Sequence, residues 1–321
     1  MEKRQKVTIV LLNLNGKADT LECLASLKKL EGRKARTDTI VVDNGSTDDS
    51  VPAISRQFPD VLLIENKKNL GFCEGNNIGV KQAFANGADS VLILNNDTLI
   101  HPELVDQLVA VAQKRQAAIV SPKIYFARGF EFHKDRYREA EKGRVIWYAG
   151  GKIDWNNVWP SHRGVDEVDH GQFDDAYSTE FATGCAMLVS RALYEKIGLF
   201  DPVFFAYFED ADLSIRAPKS GFTVMFAPKA ILWHKNAASF GGSGSPFQDY
   251  FITRNRLLFG LRHASLRAKI ALLREGTKFL IKGPWTKRNG IIDALLRRMP
   301  DIEKLREQTG STLEIKKTTE E

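Results

Sequence analysis

Short apolar runs alternate with segments of helical periodicity along the first third of the chain. Parallel strands that are buried on both faces appear as continuous apolar runs, whereas amphipathic helices repeat apolar positions every three to four residues. The apolar runs predict strands at residues 7–12, 39–42, 61–64 and 91–94. The periodic segments predict helices at residues 21–30, 50–57 and 78–85. This alternation predicts an α/β fold with a mostly parallel, doubly wound central sheet and helices on both faces.

Later segments continue this alternation with interruptions. Residues 119–126 and 223–227 have the composition of strands, and residues 209–217 that of a helix. Residues 127–144 are charged and aromatic without a clear period, which predicts an insertion or a mobile loop. A glycine- and serine-rich stretch at residues 239–244 predicts a lid with glycine hinges. We place the end of this first domain at residue 253.

Polar side chains follow three of the predicted strands, at the points where these strands end. Asn13 and Asn15 follow the first strand, Asp43 follows the second, and the Asn-Asn-Asp sequence of residues 95–97 follows the fourth. Open parallel sheets bind ligands at the carboxyl ends of their strands. A carboxylate there, such as Asp97, can hold a hard divalent cation, and the cation can hold a diphosphate. In the alternative interpretation, Asp97 only caps the helix that follows.

A loop rich in glycine and asparagine is predicted from Asn69 to Asn77, with glycines at positions 71 and 75. A G-x-G-x-x-G dinucleotide motif follows the first strand of its sheet, whereas this loop follows the third strand and has a different spacing. The loop therefore disfavours a hydride-transfer cofactor. It indicates instead a close approach of the backbone to a nucleotide or an acceptor.

An acidic cluster directly follows the aromatic stretch of residues 204–208. The acids are Glu209, Asp210 and Asp212, at the start of a predicted helix. An apolar wall beside a carboxylate raises its pKa and makes it a better base. Carboxylates in a first turn also stabilise a helix through its dipole. The cluster therefore predicts a catalytic base without excluding the structural role.

Four further residues suit a ligand site. Small residues at Thr183 and Gly184 precede a predicted strand, which indicates that another group approaches the backbone closely. Trp147 can line a sugar site by stacking, or it can pack inside the protein. His234 ends an apolar run, where it is either a buried packing residue or the further donor that a metal site at Asp97 needs.

The net charge of +6 is concentrated in the C-terminal part of the chain. Residues 254–300 contain twelve lysines and arginines and two acids, with leucines recurring between the cations. We predict a basic amphipathic helical extension at residues 254–309 and a disordered tail at residues 310–321. The interleaved apolar residues favour peripheral contact of residues 254–300 with an anionic membrane surface over contact with nucleic acid. Docking of a partner protein and packing within the chain stay open as alternatives.

The expected location is the cytoplasm. No segment approaches the length of about 20 apolar residues that a membrane-spanning helix requires. The first apolar run is too short for the core of a signal peptide. Cys23, Cys73 and Cys185 lack metal-ligand spacing, so we interpret them as reduced packing residues. Any peripheral membrane contact is then expected at the inner face of the cell membrane.

Six stretches together resemble the inverting nucleotide-sugar glycosyltransferases of family 2, which have the GT-A fold. The resemblance covers residues 7–255 and is strongest to the rhamnosyltransferase branch, whose members build bacterial cell-surface polysaccharides from dTDP-L-rhamnose. The order and spacing of the stretches support it: residues 41–48, 69–72, 94–97, 183–184, 208–213 and 233–234.

The resemblance implies that residues 1–126 form the nucleotide-sugar-binding half of the domain. Asp43 would bind the pyrimidine base, with the loop from Asn13 to Asn15 nearby. Asp97 would be the metal-binding carboxylate of a D-x-D motif, and His234 would complete a site for Mg²⁺ or Mn²⁺. The remaining predicted donor contacts are Asn69, Asn95 and Asn96. Because asparagine replaces the first aspartate of the motif, at position 95, this site has one negative charge fewer.

The resemblance also implies that residues 127–253 form the acceptor half of the domain. Asp210 would be the general base that takes the proton of an acceptor hydroxyl. Arg216 would contact phosphate or hold the acidic loop. The predicted acceptor contacts are Glu209, Asp212, Gly184 and Trp147.

The expected activity is transfer of a sugar from a dTDP- or UDP-sugar donor, with L-rhamnose as the sugar of the most similar branch. The acceptor would be a hydroxyl of a cell-surface glycan or of a lipid-linked glycan. Two alternatives stay open: a nucleotidyltransferase on a similar sheet, and a non-catalytic carbohydrate- or membrane-binding module. A nucleotidyltransferase would need another strong metal carboxylate near Asp97. A non-catalytic binding module would not need Asp97, Asp210 and His234. A homodimer is also open, and nucleic acid is not an expected partner.

Overall fold

The computed structural model describes residues 4–236 and 244–309 of the chain. These residues form two compact units. The first unit comprises residues 4–154 and 159–236 and contains the described strands. The second unit comprises residues 155–158 and 244–309 and is helical.

A mixed ten-stranded sheet forms the centre of the first unit. The described strands are β1 (Gln5–Asn13), β2 (Ala35–Asp43), β3 (Leu62–Glu65), β4 (Ser90–Asn95), β5 (Thr98–Ile100), β6 (Ile119–Phe126), β7 (Ile146–Tyr148), β8 (Gly151–Asp154), β9 (Trp159–His162), β10 (Tyr177–Ser178), β11 (Ala186–Ser190) and β12 (Val224–His234). The main order in space is β3-β2-β1-β4-β11-β6-β12-β10. In addition, β5 pairs with β12, and β7 pairs with β6. β8 and β9 form a separate antiparallel pair.

Helices follow the early strands in the predicted alternation. Those of the first unit are α1 (Lys17–Leu27), α2 (Ser50–Gln57), α3 (Gly71–Ala85), α4 (Leu104–Arg115), α5 (Arg191–Ile197) and α6 (Glu209–Lys219). β1, β2, β3 and β4 are parallel, as are β6 and β12, whereas β11 runs antiparallel between β4 and β6. The predicted α/β fold with a mostly parallel central sheet is therefore confirmed.

The helix α3 begins earlier than the sequence pattern predicts. Residues 71–77, which we expected in a loop, are helical, so that prediction is wrong. Glycine costs about 1 kcal/mol in a helix relative to alanine, which is why the pattern indicates a loop. Here the glycines allow close packing on β1, because a Cβ at Gly75 would lie 2.5 Å from Leu12 and one at Gly79 would lie 2.5 Å from Val10. Tertiary packing thus outweighs local propensity.

The register of the parallel strands brings their polar ends together. Asn13, at the end of β1, pairs with Asp43 at the end of β2, and Leu12 pairs with Asn95 at the end of β4. Since these strands run in one direction, the three polar ends share one edge of the sheet. The predicted donor residues therefore occupy neighbouring positions.

The predicted strand at residues 223–227 and the apolar run that ends at His234 belong to one strand, β12. Its register against β6 shifts between Ala227 and Ile231. Its last residue, His234, pairs with Thr98 of β5. This pairing places His234 beside Asp97, which precedes Thr98 in the chain.

Residues 127–144 form an irregular connection with one short 3₁₀ turn, at Lys134–Arg136. The buried carboxylate of Glu131 accepts hydrogen bonds from the N–H groups of Gly129 and Gly143, both at 2.9 Å. These two bonds tie the ends of the connection together.

The second unit contains α7 (Pro246–His263), α8 (Leu266–Lys282), α9 (Trp285–Leu295) and α10 (Ile302–Thr309). The α7 side chains Leu257 and Phe259 are buried, so the apolar face of this helix is used for packing. Within the described ranges, no helix combines the length and the hydrophobicity needed to span a membrane. Most of the predicted lid, residues 239–243, and the predicted tail, residues 310–321, lie outside the described residues.

Candidate active site

Asp97 and His234 are in direct contact. Asp97 lies between β4 and β5, and His234 ends β12, which pairs with β5. Nε2 of His234 lies 3.1 Å from Oδ1 of Asp97, and the N–H of Lys235 donates a hydrogen bond to the Asp97 carbonyl. Both side chains are buried. The structure thus brings the two predicted metal ligands together. The N-cap residue of α4 is Glu103, so Asp97 does not have the capping role of the alternative interpretation.

The charge state of His234 follows from this contact. Burial lowers the pKa of His234, but the neighbouring Cys185 sulfur and the Asp97 carboxylate favour the protonated form and raise this pKa well above its ordinary value. Burial also raises the pKa of the Cys185 thiol, so Asp97 supplies the negative charge. Without a bound cation, Asp97 and His234 therefore form an ion pair at neutral pH.

This ion pair has the donor atoms and the spacing that a divalent cation needs. Adjacent ligands of a six-coordinate ion with bonds of about 2.1 Å lie about 3 Å apart. The 3.1 Å between Nε2 of His234 and Oδ1 of Asp97 matches that separation. Within the described residues, no group of three His, Cys, Asp or Glu side chains is arranged to hold a metal. Oxygens of a bound diphosphate and water would have to supply the other ligands.

Trp147 forms a wall of this site. Its ring lies edge-on to the ring of His234, with 4.6 Å between the ring centroids, and contacts the ring of His162 at 4.3 Å. The Trp147 carbonyl oxygen lies 3.1 Å from Nδ1 of His162. Burial lowers the pKa of His162 to about 4, so His162 is neutral at neutral pH. Trp147 therefore packs against the imidazole of His234 and limits its movement.

Asp210 lies at the start of α6 and is held by two backbone N–H groups. Gly184 donates to Oδ2 at 2.9 Å, and Ala211 donates to Oδ1 at 2.7 Å. Burial raises the pKa of Asp210 above its ordinary value, and these backbone hydrogen bonds limit the rise. The residue remains partly exposed. A positioned carboxylate with a raised pKa and an accessible edge has the properties of a general base.

Gly184 and Cys185 connect Asp210 to the buried ion pair. Gly184 donates the hydrogen bond to Asp210, and the Cys185 carbonyl accepts one from the N–H of Asn95 at 2.8 Å. The Cys185 thiol lies beside the imidazole of His234. The three residues predicted to carry the chemistry, which are far apart in the sequence, therefore belong to one connected cluster.

Glu209 is buried next to Gly184. A Cβ on Gly184 would lie 3.4 Å from Oε1 of Glu209 and 3.2 Å from the ring of Phe72, so both side chains pack closely against the glycine. Burial and, to a smaller degree, repulsion from Asp210 raise the pKa of Glu209 well above its ordinary value. A protonated Glu209 can donate a hydrogen bond to a hydroxyl or carbonyl oxygen.

The turn before the acidic cluster has an unusual backbone. Phe205, Tyr207 and Phe208 have φ angles of 62°, 70° and 72°, a region that bulky side chains rarely adopt. The carbonyl of Phe205 accepts a hydrogen bond from the N–H of Cys73 in α3 at 3.0 Å. Each such residue costs about 1 kcal/mol or more, and such residues cluster at functional sites.

Asp212 and Arg216 hold the start of α6 in place. Nε of Arg216 donates to Oδ2 of Asp212 at 2.7 Å, and the guanidinium also donates to the carbonyls of Ile197 and Leu199. The side chain of Asp212 is fully buried. Of the two roles open to Arg216, the structure favours holding the acidic loop, and Asp212 is its partner in that role.

Asn13 and Asp43 join the ends of β1 and β2. Nδ2 of Asn13 donates to Oδ1 of Asp43 at 2.7 Å, and the N–H of Ser46 donates to Oδ2 at 2.9 Å. Oδ1 of Asn15 accepts from the N–H of Thr47 at 2.7 Å, which fastens the two loops together. A carboxylate oxygen accepts two hydrogen bonds, so Oδ2 of Asp43 has capacity for a further donor.

Asn44 is a site residue that the sequence prediction missed. Its Nδ2 donates to Oδ1 of Asn69 at 2.9 Å and to the Gly71 carbonyl at 3.1 Å, and its Oδ1 accepts from Asn66 and from the N–H of Leu70. These four bonds use the full capacity of the Asn44 amide. Asn44 therefore orients Asn69, and its position at the end of β2 is the signal that could have identified it.

Asn95 and Asn96 form the turn that leads to the buried ion pair. Nδ2 of Asn96 donates to Oγ1 of Thr20 at 2.8 Å, and the Asn95 carbonyl accepts from Oγ1 of Thr98 at 2.7 Å. These bonds fix the loop after β4 against α1 and β5.

Some buried polar atoms without a hydrogen-bond partner belong to predicted site residues. Seven such side-chain atoms occur in the described part of the chain, and three of them belong to Asn69, Glu209 and His234. Each costs about 1–3 kcal/mol when no ligand is bound. In these three residues the unpartnered atom is available for a hydrogen bond to a bound ligand.

A model of the family named Glycosyl transferase family 2 matches residues 8–198, which is more than half of the chain. The chain belongs to glycosyl transferase family 2. It is therefore a glycosyltransferase, and the predicted family and enzyme class are confirmed. The nucleotidyltransferase and the non-catalytic binding module are excluded.

Curated relatives agree with this assignment. The glycosyltransferase is 25% identical over 258 residues to the low-salt glycan biosynthesis hexosyltransferase Agl10 of Haloferax volcanii, an alignment that covers 78% of this chain and 74% of the relative. It is 26% identical over 228 residues to an N-acetylglucosaminyl-diphospho-decaprenol L-rhamnosyltransferase of Mycobacterium tuberculosis, covering 68% of this chain and 72% of the relative.

Solved structures support the GT-A fold. The mannosyltransferase PcManGT from Pyrobaculum calidifontis, in complex with GDP-Man and Mn²⁺, aligns with a TM-score of 0.55 at 16% identity, over 92% of this chain and 75% of that protein. S. aureus TarS 1-349 in complex with UDP aligns with a TM-score of 0.56 at 17% identity, over 91% of this chain and 80% of that protein. These likenesses concern the fold alone.

Proposed function

We propose that this glycosyltransferase transfers a sugar from a nucleotide donor to a hydroxyl of a glycan or lipid-linked acceptor, with inversion at the anomeric carbon. The residues that resemble the rhamnosyltransferase branch favour L-rhamnose from dTDP-L-rhamnose, and a UDP-sugar is the alternative donor. The name of the M. tuberculosis relative, which includes both an L-rhamnosyl group and a diphospho-decaprenol acceptor, supports this choice.

The observation that carries the proposal is the connection of Asp210, through Gly184 and Cys185, to the buried Asp97–His234 pair. In the proposed reaction, Asp210 takes the proton of the acceptor hydroxyl. The hydroxyl oxygen forms a bond to the anomeric carbon as the bond from that carbon to the diphosphate oxygen breaks. The nucleoside diphosphate leaves with the bonding electrons. Attack opposite the leaving group inverts the anomeric centre, so no covalent enzyme intermediate is required.

Asp97 and His234 are the residues that would hold Mg²⁺ or Mn²⁺. A bound divalent ion would neutralise the charge that develops on the diphosphate. The 3.1 Å separation of the two donor atoms supports this assignment, and Mn²⁺ in the PcManGT structure is consistent with it. Asn95, in the first position of the D-x-D motif, contributes no charge to this site.

The polar edge of the sheet is the proposed donor site. Asp43 would accept a hydrogen bond from the base through Oδ2, and Asn69 would donate through its buried Nδ2. The other proposed donor contacts are Asn13, Asn15, Asn95 and Asn96. The contacts that these residues already make fix the loops before a donor arrives, which lowers the entropic cost of binding.

Glu209, Gly184 and Trp147 are the proposed acceptor contacts. The unpartnered Oε2 of Glu209 and the hydrogen bond from Gly184 to Asp210 support this assignment. We assign Asp212, proposed from the sequence as a further acceptor contact, to the support of α6, because its fully buried carboxylate forms an ion pair with Arg216.

The proposal includes a cytoplasmic location, with residues 254–300 in contact with an anionic membrane surface at the inner face of the cell membrane. The excess of cations in this segment supports that contact. A homodimer stays a prediction, which sedimentation of the purified protein can test.

Thermal unfolding in the presence of nucleotide sugars tests the proposed function. A donor that binds the folded state raises the apparent stability. We expect dTDP-L-rhamnose to raise the melting temperature more in the presence of Mn²⁺ than in EDTA, with GDP-mannose and UDP-glucose as comparisons. Transfer to a hydroxyl acceptor, followed by NMR of the product, should give the inverted anomer. Retention of configuration, or no stabilisation by any of the nucleotide sugars, would contradict the proposal.

A further inference from the structure

Exposed large apolar side chains concentrate in the second unit. Thirteen such side chains occur in the described residues, and eight of them lie between positions 266 and 299. Leu266 and Ile281, near the two ends of α8, are 74% and 67% exposed. Scattered apolar side chains on a surface are ordinary, but a contiguous exposed group marks an interaction site.

The helix α8 has two faces with different surroundings. Its inner face contains Ala268, Leu272 and Gly276, which are buried, and a Cβ on Gly276 would contact Ile291 of α9 at 3.4 Å. Its outer face contains the exposed residues Leu266, Ile270, Leu273 and Ile281, which we name the α8 stripe. Their separations of four, three and eight residues place them on one side of the helix.

Cations border the α8 stripe. The α-helical repeat of about 3.6 residues per turn places five cations beside the stripe. Arg267, Arg274, Lys278 and Lys282 lie on one side of it, and Lys269 lies on the other side. Within the described part of the chain, these five cations form no ion pair. The one acid of α8, Glu275, is neutralised by Arg256 at 3.0 Å. The outer face of α8 is therefore both apolar and positively charged.

We propose that α8 is a membrane-docking helix, which lies along an anionic lipid surface with the α8 stripe at the boundary between headgroups and acyl chains. Exposed apolar side chains between unneutralised cations are the features of interfacial helices. The long stems of lysine and arginine allow the charged groups to reach the headgroups. The inference deepens the proposed function and rests on the membrane contact in it. It narrows that contact from residues 254–300 to one face of one helix.

Charge complementarity favours a lipid surface over a second copy of the chain. Two copies of this face brought together would place like charges opposite each other, whereas anionic headgroups would neutralise them. The α7 residues Leu257 and Phe259, which belong to the same basic segment, are buried and cannot make the contact. With 17 residues, α8 presents a surface about 25 Å long.

Sedimentation of the full-length protein with lipid vesicles tests the proposal. We expect binding to vesicles that contain phosphatidylglycerol and little binding to vesicles of phosphatidylcholine alone. The double variant Leu266→Ser with Ile281→Ser should lower the partition coefficient at least tenfold. Arg274→Glu with Lys278→Glu should have a similar effect, because each cation near an anionic surface contributes about fivefold to binding.

Matched controls come from exposed residues of the first unit. Val165→Ser controls for loss of an exposed apolar side chain, and Lys81→Glu with Lys152→Glu controls for the charge change. All variants should keep the circular dichroism spectrum of the wild type, since the changed side chains are exposed. The partition coefficients of the control variants should lie within twofold of the wild-type value. Equal binding by the α8 variants and the controls would overturn the proposal. So would an α8-dependent dimer that binds no vesicles.

The vesicle assay contains no donor or acceptor, so its outcome is independent of catalysis. If the protein transfers sugar to a water-soluble acceptor but binds no anionic vesicles, the membrane-docking proposal fails alone. If it binds anionic vesicles through α8 but transfers no sugar, the proposed donor and acceptor fail and the docking role of α8 stands.

Discussion

Nε2 of His234 lies 3.1 Å from Oδ1 of Asp97, although the two residues are 137 positions apart in the sequence. The antiparallel pairing of β12 with β5 creates this contact, because His234 pairs with Thr98. Both side chains are buried, so their charges interact with little screening by solvent. In the proposed function, a proton and a divalent cation would compete for the imidazole of His234.

His234→Ala should weaken the binding of a nucleoside diphosphate in the presence of Mn²⁺ at least tenfold, because one of the two proposed protein ligands is lost. In EDTA the variant and the wild type should bind the nucleotide alike. Isothermal titration calorimetry measures both. His170→Ala, which removes an exposed histidine, is the control. The assignment is wrong if Mn²⁺ improves binding equally in the wild type and in His234→Ala.

Asp210→Asn should reduce kcat by about 10²–10⁴-fold, which is the usual contribution of a general base. The amide cannot accept the proton of the acceptor hydroxyl. Donor affinity should stay within about twofold, since the residue is assigned to the acceptor side. Rapid-quench kinetics and donor titration separate the two effects. Asp175→Asn, at an exposed position, should leave both unchanged, and a fully active Asp210→Asn enzyme would remove this residue as the base.

The stability of the protein should depend on pH through Glu209. Burial raises the pKa of Glu209 in the folded state, so its contribution to stability is present below the ordinary pKa of glutamate and is lost as pH rises through the raised value. Glu209→Gln, which stays neutral, should therefore melt at a higher temperature than the wild type at pH 8 and at nearly the same temperature at pH 4. Calorimetry at both values tests this. The exposed Glu65→Gln should show no such divergence.

Asn44→Asp should raise the KM for the donor about tenfold and leave kcat at saturating donor close to that of the wild type. The substitution keeps the shape of the side chain but replaces its donor group with an oxygen, which repels Oδ1 of Asn69 and the Gly71 carbonyl. Steady-state kinetics at varied donor concentration measures KM and kcat separately. A lower kcat with unchanged KM would show that Asn44 does not act by orienting the donor site.

Arg216→Ala should lower the free energy of unfolding by about 3 kcal/mol or more, because it removes the cation from a fully buried carboxylate, that of Asp212. Urea denaturation measures the change. Arg138→Ala provides a matched control, since Arg138 forms an ion pair with Glu141 at an exposed position. That control should cost less than about 1 kcal/mol. If the two variants lose similar amounts of unfolding free energy, the ion pair of Arg216 with Asp212 contributes no more to stability than an exposed ion pair.

The alternation of strands and helices was predictable because it depends on local periodicity. The predicted helix at residues 50–57 and the predicted strand at 119–126 match α2 and β6 residue for residue. The start of α3 was not predictable in this way. Its glycines favour a loop by propensity, and only their packing against Leu12 and Val10 makes the segment a helix.

The candidate site was predictable to a similar degree. Residue chemistry and the family resemblance selected Asp97, Asp210 and His234 as candidates, but the contacts of Asp212 and Asn44 with their neighbours were not visible in the sequence. Asp212 resembles its acidic neighbours in the chain, yet the fold turns it towards Arg216. The leucines of residues 254–300 likewise show the same periodicity, yet Leu257 of α7 is buried whereas Leu266 and Leu273 of the α8 stripe are exposed.

By itself, the sequence determined the alternation of strands and helices, the family and the types of side chain that are available for chemistry, because periodicity and motifs are properties of neighbouring residues. Only the tertiary structure decided which of these side chains meet, which are used up in buried ion pairs, and which apolar face stays uncovered. The reason is that contacts between distant residues depend on strand order and register. A local pattern shows that a strand or helix has a face, but it does not show what that face will contact.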